Sequence, residues 1–344
     1  MNRFSWQKIA ALFFPSVMFG LLASFLVFAV WQPYADSARA RELAQFELQH
    51  HTDTDKLQCA IDLYVQTLYS ARGLFMASDS VSRSEWTTFF NTIGTTRQLP
   101  GLGLLAYIEQ VPISKKNAFV TELNTDKFLQ EKELSDVVIF PESSSSLQQV
   151  VKYIEPQDLS LMKSLLGFNF SAEGSRQHAF ENARDLNTAI TTTPLYSSSP
   201  YQNSFVIVLP LYDKNKPILT PAERRDAYFG LVAISVRLKD VFDKSFSSLA
   251  AQSRLVQVYD GVNTNEDHLI YQNMKVSNAA ISNGMSTIES VTMADRTLTV
   301  KYTSLTPREG YTLINSIWGR VGILVVTNLL TAWYVWTQIR TSKR

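Results

Sequence analysis

The side chains that could do chemistry are few, and their spacing suits little of it. The chain of 344 residues carries four histidines (His50, His51, His178 and His268) and a single cysteine, Cys59. A zinc site needs three or four imidazole, thiolate or carboxylate ligands around one ion. No pair of these histidines has the H-E-x-x-H spacing, and there is no second cysteine. His50 and His51 read as lying on the polar side of a helix, so neither a metal nor another cofactor is expected. No Walker loop, G-x-G-x-x-G or G-x-S-x-G is present to cradle a phosphate or present a nucleophile. An acid–base carboxyl would need burial in an apolar run to move its pKa. Glu155, in Tyr153-Ile154-Glu155-Pro156, comes nearest and reads as a structural ion pair or cap. The expectation is a protein that binds and does not catalyse.

The elements around these residues follow from charge and hydropathy. Residues 1–31 hold no acid and residues 317–344 hold none, so all 31 acids lie between, against 26 of the 32 Lys and Arg. The middle thus carries about −5 and offers no basic face for nucleic acid. Residues 9–31 run 23 positions without a charge, longer than the roughly 20 needed to cross a bilayer and longer than a signal-peptide core. Residues 317–337 give a second span, with Arg320 near its end and Trp318, Trp333, Tyr334 and Trp336 as interfacial aromatics. Arg3 and Lys8 (residues 1–8) and Arg340, Lys343 and Arg344 (residues 338–344) place both termini in the cytoplasm by the positive-inside rule. Arg39 and Arg41 argue weakly the other way. The expected localisation is the inner membrane, two-pass, with the central domain in the periplasm. Its lone cysteine excludes an intrachain disulfide framework.

Residues 35–80 read as one long helix with a stripe at Leu57, Ile61, Tyr64, Leu68, Ala71 and Phe75. Part of that stripe should pack on its own domain, and the Leu43–Tyr64 region should pair in a homodimer. Ser82-Arg83-Ser84-Glu85 is a capping box opening a short helix. Strands are expected at 102–111, 137–140, 150–154, 189–196, 205–212 and 229–237, and helices near 114–123 and 175–186. An amphipathic helix at 238–251 precedes strands at 255–259, 269–272, 287–293 and 297–303, with Asp295-Arg296 turning the last pair. The fold class is α+β: a long helix bearing two sheet units, 81–237 and 238–305, a linker at 306–316, and a membrane helix on either side.

Six ordered segments carry a family resemblance. They are Ser70 to Phe90, Pro100 to Val111, Tyr153 to Phe170, Ala179 to Pro194, Leu209 to Tyr212 and Gly230 to Phe242. Together they resemble the CHASE domain, an extracellular sensory module of bacterial histidine kinases, diguanylate cyclases and plant cytokinin receptors. The resemblance implies two PAS-like antiparallel sheets on a long helix, with a ligand pocket in the membrane-distal one. Thr192, Thr193 and Pro194 stand where the plant receptors have a pocket-lining Thr-x-Pro strand, and Val206 and Val208 should face the same cavity. Arg176 stands at the position of the plant receptors' adenine-binding Asp, and Val208 where they supply a threonine. A neutral adenine is therefore not the expected ligand. Arg176, if it points inward, favours an anion, because guanidinium pairs bidentately with carboxylate or phosphate; otherwise it is a solvated residue in the first turn of a helix. Asn169 replaces a family Asp and reads as a turn residue. Tyr107, Phe168, Phe180, Tyr196 and Tyr212 are the aromatic positions near the proposed pocket. The expected function is a receptor subunit that binds a small molecule and passes the signal through its membrane helices. About eight residues follow the second span, so the output partner, cytoplasmic or in the membrane, is expected in trans or on a domain beyond this chain. The alternative is an extracytoplasmic protein-interaction or envelope-stress module with no small-molecule ligand.

Overall fold

The computed structural model describes the backbone of residues 6–93, 99–134, 136–156, 158–172, 174–192, 204–249, 253–277 and 285–305, and scattered helical positions between 322 and 340. Helix α1 runs Trp6–Ala77, continuing through Pro33. Residues 306–316 lie outside the described set, as do most side chains of 9–31 and 317–337. Among the described residues no helix is long and apolar enough to cross a membrane. The chain divides into two compact units, one of residues Met1–Gln49 with Leu305–Arg344, the other His50–Ser304.

The His50–Ser304 unit holds both sheets. Helix α2 (Arg83–Thr92) opens on the capping box: the Ser82 side chain accepts from the Glu85 N–H, and Glu85 accepts from the Ser82 N–H. Then come β1 (Leu102–Pro112), α3 (Lys116–Asn124), α4 (Lys127–Glu131), β2 (Leu147–Glu155), α5 (Leu159–Leu165) and α6 (Gly174–Leu186). Strands β3 (Ile190–Thr191), β4 (Ser204–Tyr212) and β5 (Tyr228–Arg237) complete an antiparallel sheet of order β2-β1-β5-β4-β3, with α7 (Pro221–Ala227) between the last two. Helix α8 (Leu238–Phe246) leads to β6 (Arg254–Asp260), β7 (Leu269–Gln272), β8 (Met285–Met293) and β9 (Arg296–Ser304), a second antiparallel sheet of order β7-β6-β9-β8.

Several local expectations are corrected. Residues 137–140 form no strand; Phe140 makes one isolated bridge to Phe168. The strand expected over 189–196 is two residues long among the described positions, and α8 stops at Phe246. The β8–β9 turn is Ala294-Asp295, with Ala294 at φ 56°. Ser114 caps no α-helix; a 3-10 turn, Ile113–Lys115, precedes α3.

Leu57, Ile61, Tyr64, Leu68 and Ala71 are all buried, in one core with residues of both sheets. The opposite face of the first sheet closes a second core with α3, α5 and α6. Period-2 alternation sorts each strand between the two: on β4, Phe205, Ile207, Leu209 and Leu211 face the α1 core, and Val208 and Tyr212 the other. Polar contacts fix the register of α1 on the second sheet. The Gln58 amide donates to the Thr292 carbonyl (2.9 Å) and accepts from its N–H (2.7 Å). The Thr54 and Tyr302 hydroxyls bond at 3.0 Å.

His50 departs from its expected polar setting. It is fully buried, its ring centroid 4.4 Å from that of Tyr302, because position 50 falls on the inward stripe two turns before Leu57. Burial first, and the nearby Arg254 charge second, lower its pKa to about 4. A depressed histidine pKa means that the unfolded chain binds the proton better. Its contribution is therefore complete above the unfolded value of 6.5 and is lost as pH falls toward 4. His50→Phe keeps the ring and removes the titration, so denaturant titrations of residues 35–312 should show about 2–3 kcal/mol less acid destabilisation in the variant between pH 7 and 4. Equal losses in the two proteins would show that His50 does not titrate this way. Gly167 gives a second expectation. It sits at φ +80°, and a Cβ there would lie 2.2 Å from the Val138 carbonyl oxygen. Gly167→Ala should destabilise by about 2 kcal/mol or more in the same assay.

Candidate functional site

The Ala106–Ala233 pair at the centre of β1 and β5 makes the room for a cavity. Large side chains fill the α1 face of this sheet, whereas the other face carries Ala106, Ala233 and Ser235 at its middle. Two methyl groups opposite one another leave a space that the covering helices do not fill. The result is a cavity of about 300 Å³, at the lower end of the range for small-molecule sites. Its floor is Leu104, Ala106 and Ile108 of β1, Ala233 and Ser235 of β5, Val206 of β4, and Val151 and Ile154 of β2. Its roof is Leu161, Ser164 and Leu165 of α5, with Phe170, Arg176 and Phe180.

The roof is held by a short chain segment laid along the edge of β2. Gly167 N–H donates to the Val151 carbonyl and Val151 N–H to the Phe168 carbonyl, both at 3.0 Å. Asn169, fully buried, accepts from Ser171 N–H (3.0 Å) and donates to the Pro141 carbonyl (3.3 Å). It is a turn-former here. On the roof, Phe168, Phe170 and Phe180 follow one another edge to face, at 4.9 and 5.5 Å between centroids. The Arg176 guanidinium lies over the Phe170 ring, 5.1 Å from its centroid. Arg176 is half-buried, and among the described residues it is the one charged residue lining the cavity.

Of the nine residues expected at the pocket, Arg176, Phe180 and Val206 line this cavity. Phe168 stands beside it, against Phe170. Val208 is wholly buried in the core on the same face, one pair of residues deeper along β4 than Val206. Thr192 is buried, and its N–H bonds the Val206 carbonyl at 2.8 Å, which steadies the wall without lining it. Tyr212 is directed elsewhere: its hydroxyl donates to the Arg184 carbonyl, and its ring borders a separate cleft. Tyr107 faces the α1 core. Thr193 and Tyr196 lie outside the described residues.

Sequence reasoning missed the residues of β1, β2, β5 and α5, and Phe170. The small residues Ala106, Ala233 and Ser235 within otherwise bulky runs were the available signal. Glu155 is buried and accepts a 2.7 Å hydrogen bond from Thr87, which ties α2 to the edge of the sheet; it does not line the cavity. Among the described residues no group of three His, Cys, Asp or Glu is placed to hold a metal ion.

The family model of the CHASE domain matches residues 79–271. No curated protein matches the sequence. Among solved structures, an extracellular ligand binding receptor from Desulfohalobium retbaense is similar over 75% of this chain and 40% of its own, at 9% identity and a TM-score of 0.43. This chain therefore spans less than half the length of that receptor. The ligand binding domain of the Pseudomonas aeruginosa amino acid chemoreceptor PctC, in complex with GABA, is similar over 76% of this chain and 98% of its own, at 9% identity and 0.40. The periplasmic sensory domain of the Campylobacter jejuni chemoreceptor Tlp1 is similar over 74% and 92%, at 10% identity and 0.39. The family match covers more than half of the chain and takes in every residue that lines the cavity, so the chain belongs to the CHASE domain family of sensory modules.

Proposed function

We propose that this chain is a membrane-anchored extracytoplasmic sensor without catalytic activity of its own. Its cavity takes a small, mostly apolar molecule with an anionic end. The observation that carries the reading is the apolar space over Ala106 and Ala233 with Arg176 as the one charge among its described lining residues. Arg176 lies in the first turn of α6, where the helix dipole disfavours a cation and a bound anion would be welcome. The apolar runs at 9–31 and 317–337, the second with Arg320 near its end, anchor the domain, both termini cytoplasmic, at the inner membrane.

Signal passage follows from the two-sided sheet. Val206, Ala106 and Ala233 touch the cavity, while their strand neighbours Phe205, Leu105 and Ile234 pack in the α1 core. A ligand shifts the populations of two strand packings by its differential affinity for them, and α1 carries the difference to a signalling partner in trans. With Leu57, Ile61 and Tyr64 turned inward, the homodimer uses the outer face of α1, where Cys59, Leu63 and Tyr69 are exposed.

A thermal-shift screen of residues 35–312 against a metabolite library tests the receptor reading. A ligand at 100 times its Kd should add about 2.7 kcal/mol of stability. Arg176→Ala should weaken an anionic hit by roughly tenfold or more, and Val206→Asp should abolish it. A hit indifferent to both substitutions would move the site elsewhere. Silence across the library would favour the protein-interaction reading. For the dimer, oxidation of the full chain in membranes should give a Cys59-linked band on non-reducing gels. Its absence would exclude the outer α1 face as the interface.

A further inference from the structure

A second opening, sharing no lining residue with the apolar cavity, lies where β1 ends and β5 begins. It is an open cleft of about 920 Å³ whose floor carries Phe75, Tyr107 and Phe229 beside Glu109 and Lys152. A β-bulge marks it. Tyr107 pairs with Tyr153 but Ile108 pairs with Val151, so Lys152 stands opposite no residue of β1 and its side chain borders the cleft. Bulges occur where a strand re-aims a side chain.

Lys152 is held between two carboxylates. Its Nζ lies 2.9 Å from Glu109 Oε2 and 2.8 Å from Glu122 Oε1, with the lysine side chain 11% exposed. Burial alone would lower the pKa of this ammonium, and the two glutamates more than reverse that. One cation between two anions leaves the floor negative. The adjoining Arg83 is matched by Asp126 at 2.6 Å, so it does not cancel the excess. Each glutamate uses one oxygen on Lys152. Glu109 Oε1 and Glu122 Oε2 can therefore accept from a visitor, beside aromatic rings that favour a cation. At the mouth the charges are mixed, with Asp79 and Asp213 beside Lys115, Lys214 and Lys216. Lys214 is paired with Asp79 (2.7 Å) and Lys216 with Asp226 (3.0 Å), while Lys115 forms no ion pair among the described residues.

We propose that this cleft binds a small zwitterion, its amine on Glu109 and Glu122 and its acid group on Lys115. Lys115 and Glu122 are seven residues apart along one wall, about 10 Å of helix rise, so the two charges of the ligand should be separated. An unbranched ω-amino acid has that form. The cleft is separate from the apolar cavity, so either site can fail alone.

The test is calorimetric titration of the full chain in detergent with unbranched ω-amino acids of two to eight carbons, each beside its N-acetyl and methyl ester forms. The longer free acids should bind, and acetylation of the amine should abolish binding. Glu122→Gln and Lys115→Met should each weaken binding by about tenfold or more, and Lys115→Met, at an exposed residue, should leave the unliganded melting temperature in place. Arg176→Ala, in the other cavity, should not change these affinities. The proposal is overturned if no member binds, or if the N-acetyl forms bind as well as the free amines. It is overturned equally if Arg176→Ala, and not Glu122→Gln, removes the heat of binding.

Discussion

Burial of one row of side chains on α1 is the constraint on which the rest of the His50–Ser304 unit depends. Leu57, Ile61, Tyr64, Leu68 and Ala71 share a core with β1, β4 and β5 of one sheet and β6, β8 and β9 of the other. Each large side chain in such a row stabilises the fold by about 1.5–3 kcal/mol. The polar end of the row is satisfied as well, since the Tyr64 hydroxyl donates to the Pro100 carbonyl at the entrance to β1. A helix that is the common wall of two sheets cannot shift against one of them without disturbing a core that the other also uses.

The first sheet is buried on both faces, so its strands read as almost unbroken apolar runs. Within them, side-chain size decides what each face can do. On the α1 face Phe205, Ile207, Val232 and Ile234 fill the space; on the other, Ala106 and Ala233 leave it open. The cavity is thus a consequence of alternation plus two missing side chains. Its floor is sheet, and its roof hangs on α5, α6 and the segment hydrogen-bonded along β2.

How far this was legible depends on the range of the signal. Local signals read well: the Leu57–Ala71 spacing, the Ser82–Glu85 capping box, and the β-branched alternation of β4, β5, β8 and β9 all appear where the sequence placed them. The Phe140 region misled because a β-branched run without a neighbour to pair with stays irregular, and here the partner segment offers a single bridge. His50 misled because residue polarity was weighed above its place on the stripe. The site itself was the least legible. Its lining comes from β1, β2, β4, β5, α5 and α6, far apart in the chain, and only Arg176, Phe180 and Val206 were named in advance. The Lys152 bulge left no mark in the sequence at all. A lysine in a strand gives no sign that it will fall between Glu109 and Glu122 until the register of two strands is known.

The two sheets meet a second time, away from α1, and that contact bears on how the cavity wall is tied to the rest. Ile190 of β3 pairs with Val208 of β4, and the next residue, Thr191, turns its N–H to Asp295 Oδ1 (2.6 Å) and its hydroxyl to the Met293 carbonyl (2.9 Å). One acceptor ends β8 and the other lies in the turn that joins it to β9. Arg296, just after that turn, pairs with Asp260 and sits over the Phe205 ring of β4 at 5.3 Å. The edge strand beside Val206 is therefore clamped to the second sheet by buried hydrogen bonds, which are costly to leave unmade. A displacement of β4 by something in the cavity has two outlets, the α1 core and this clamp, and both lead into the same second sheet. Such a geometry favours two discrete packings over a continuum, because the hydrogen bonds at Thr191 are either made or broken.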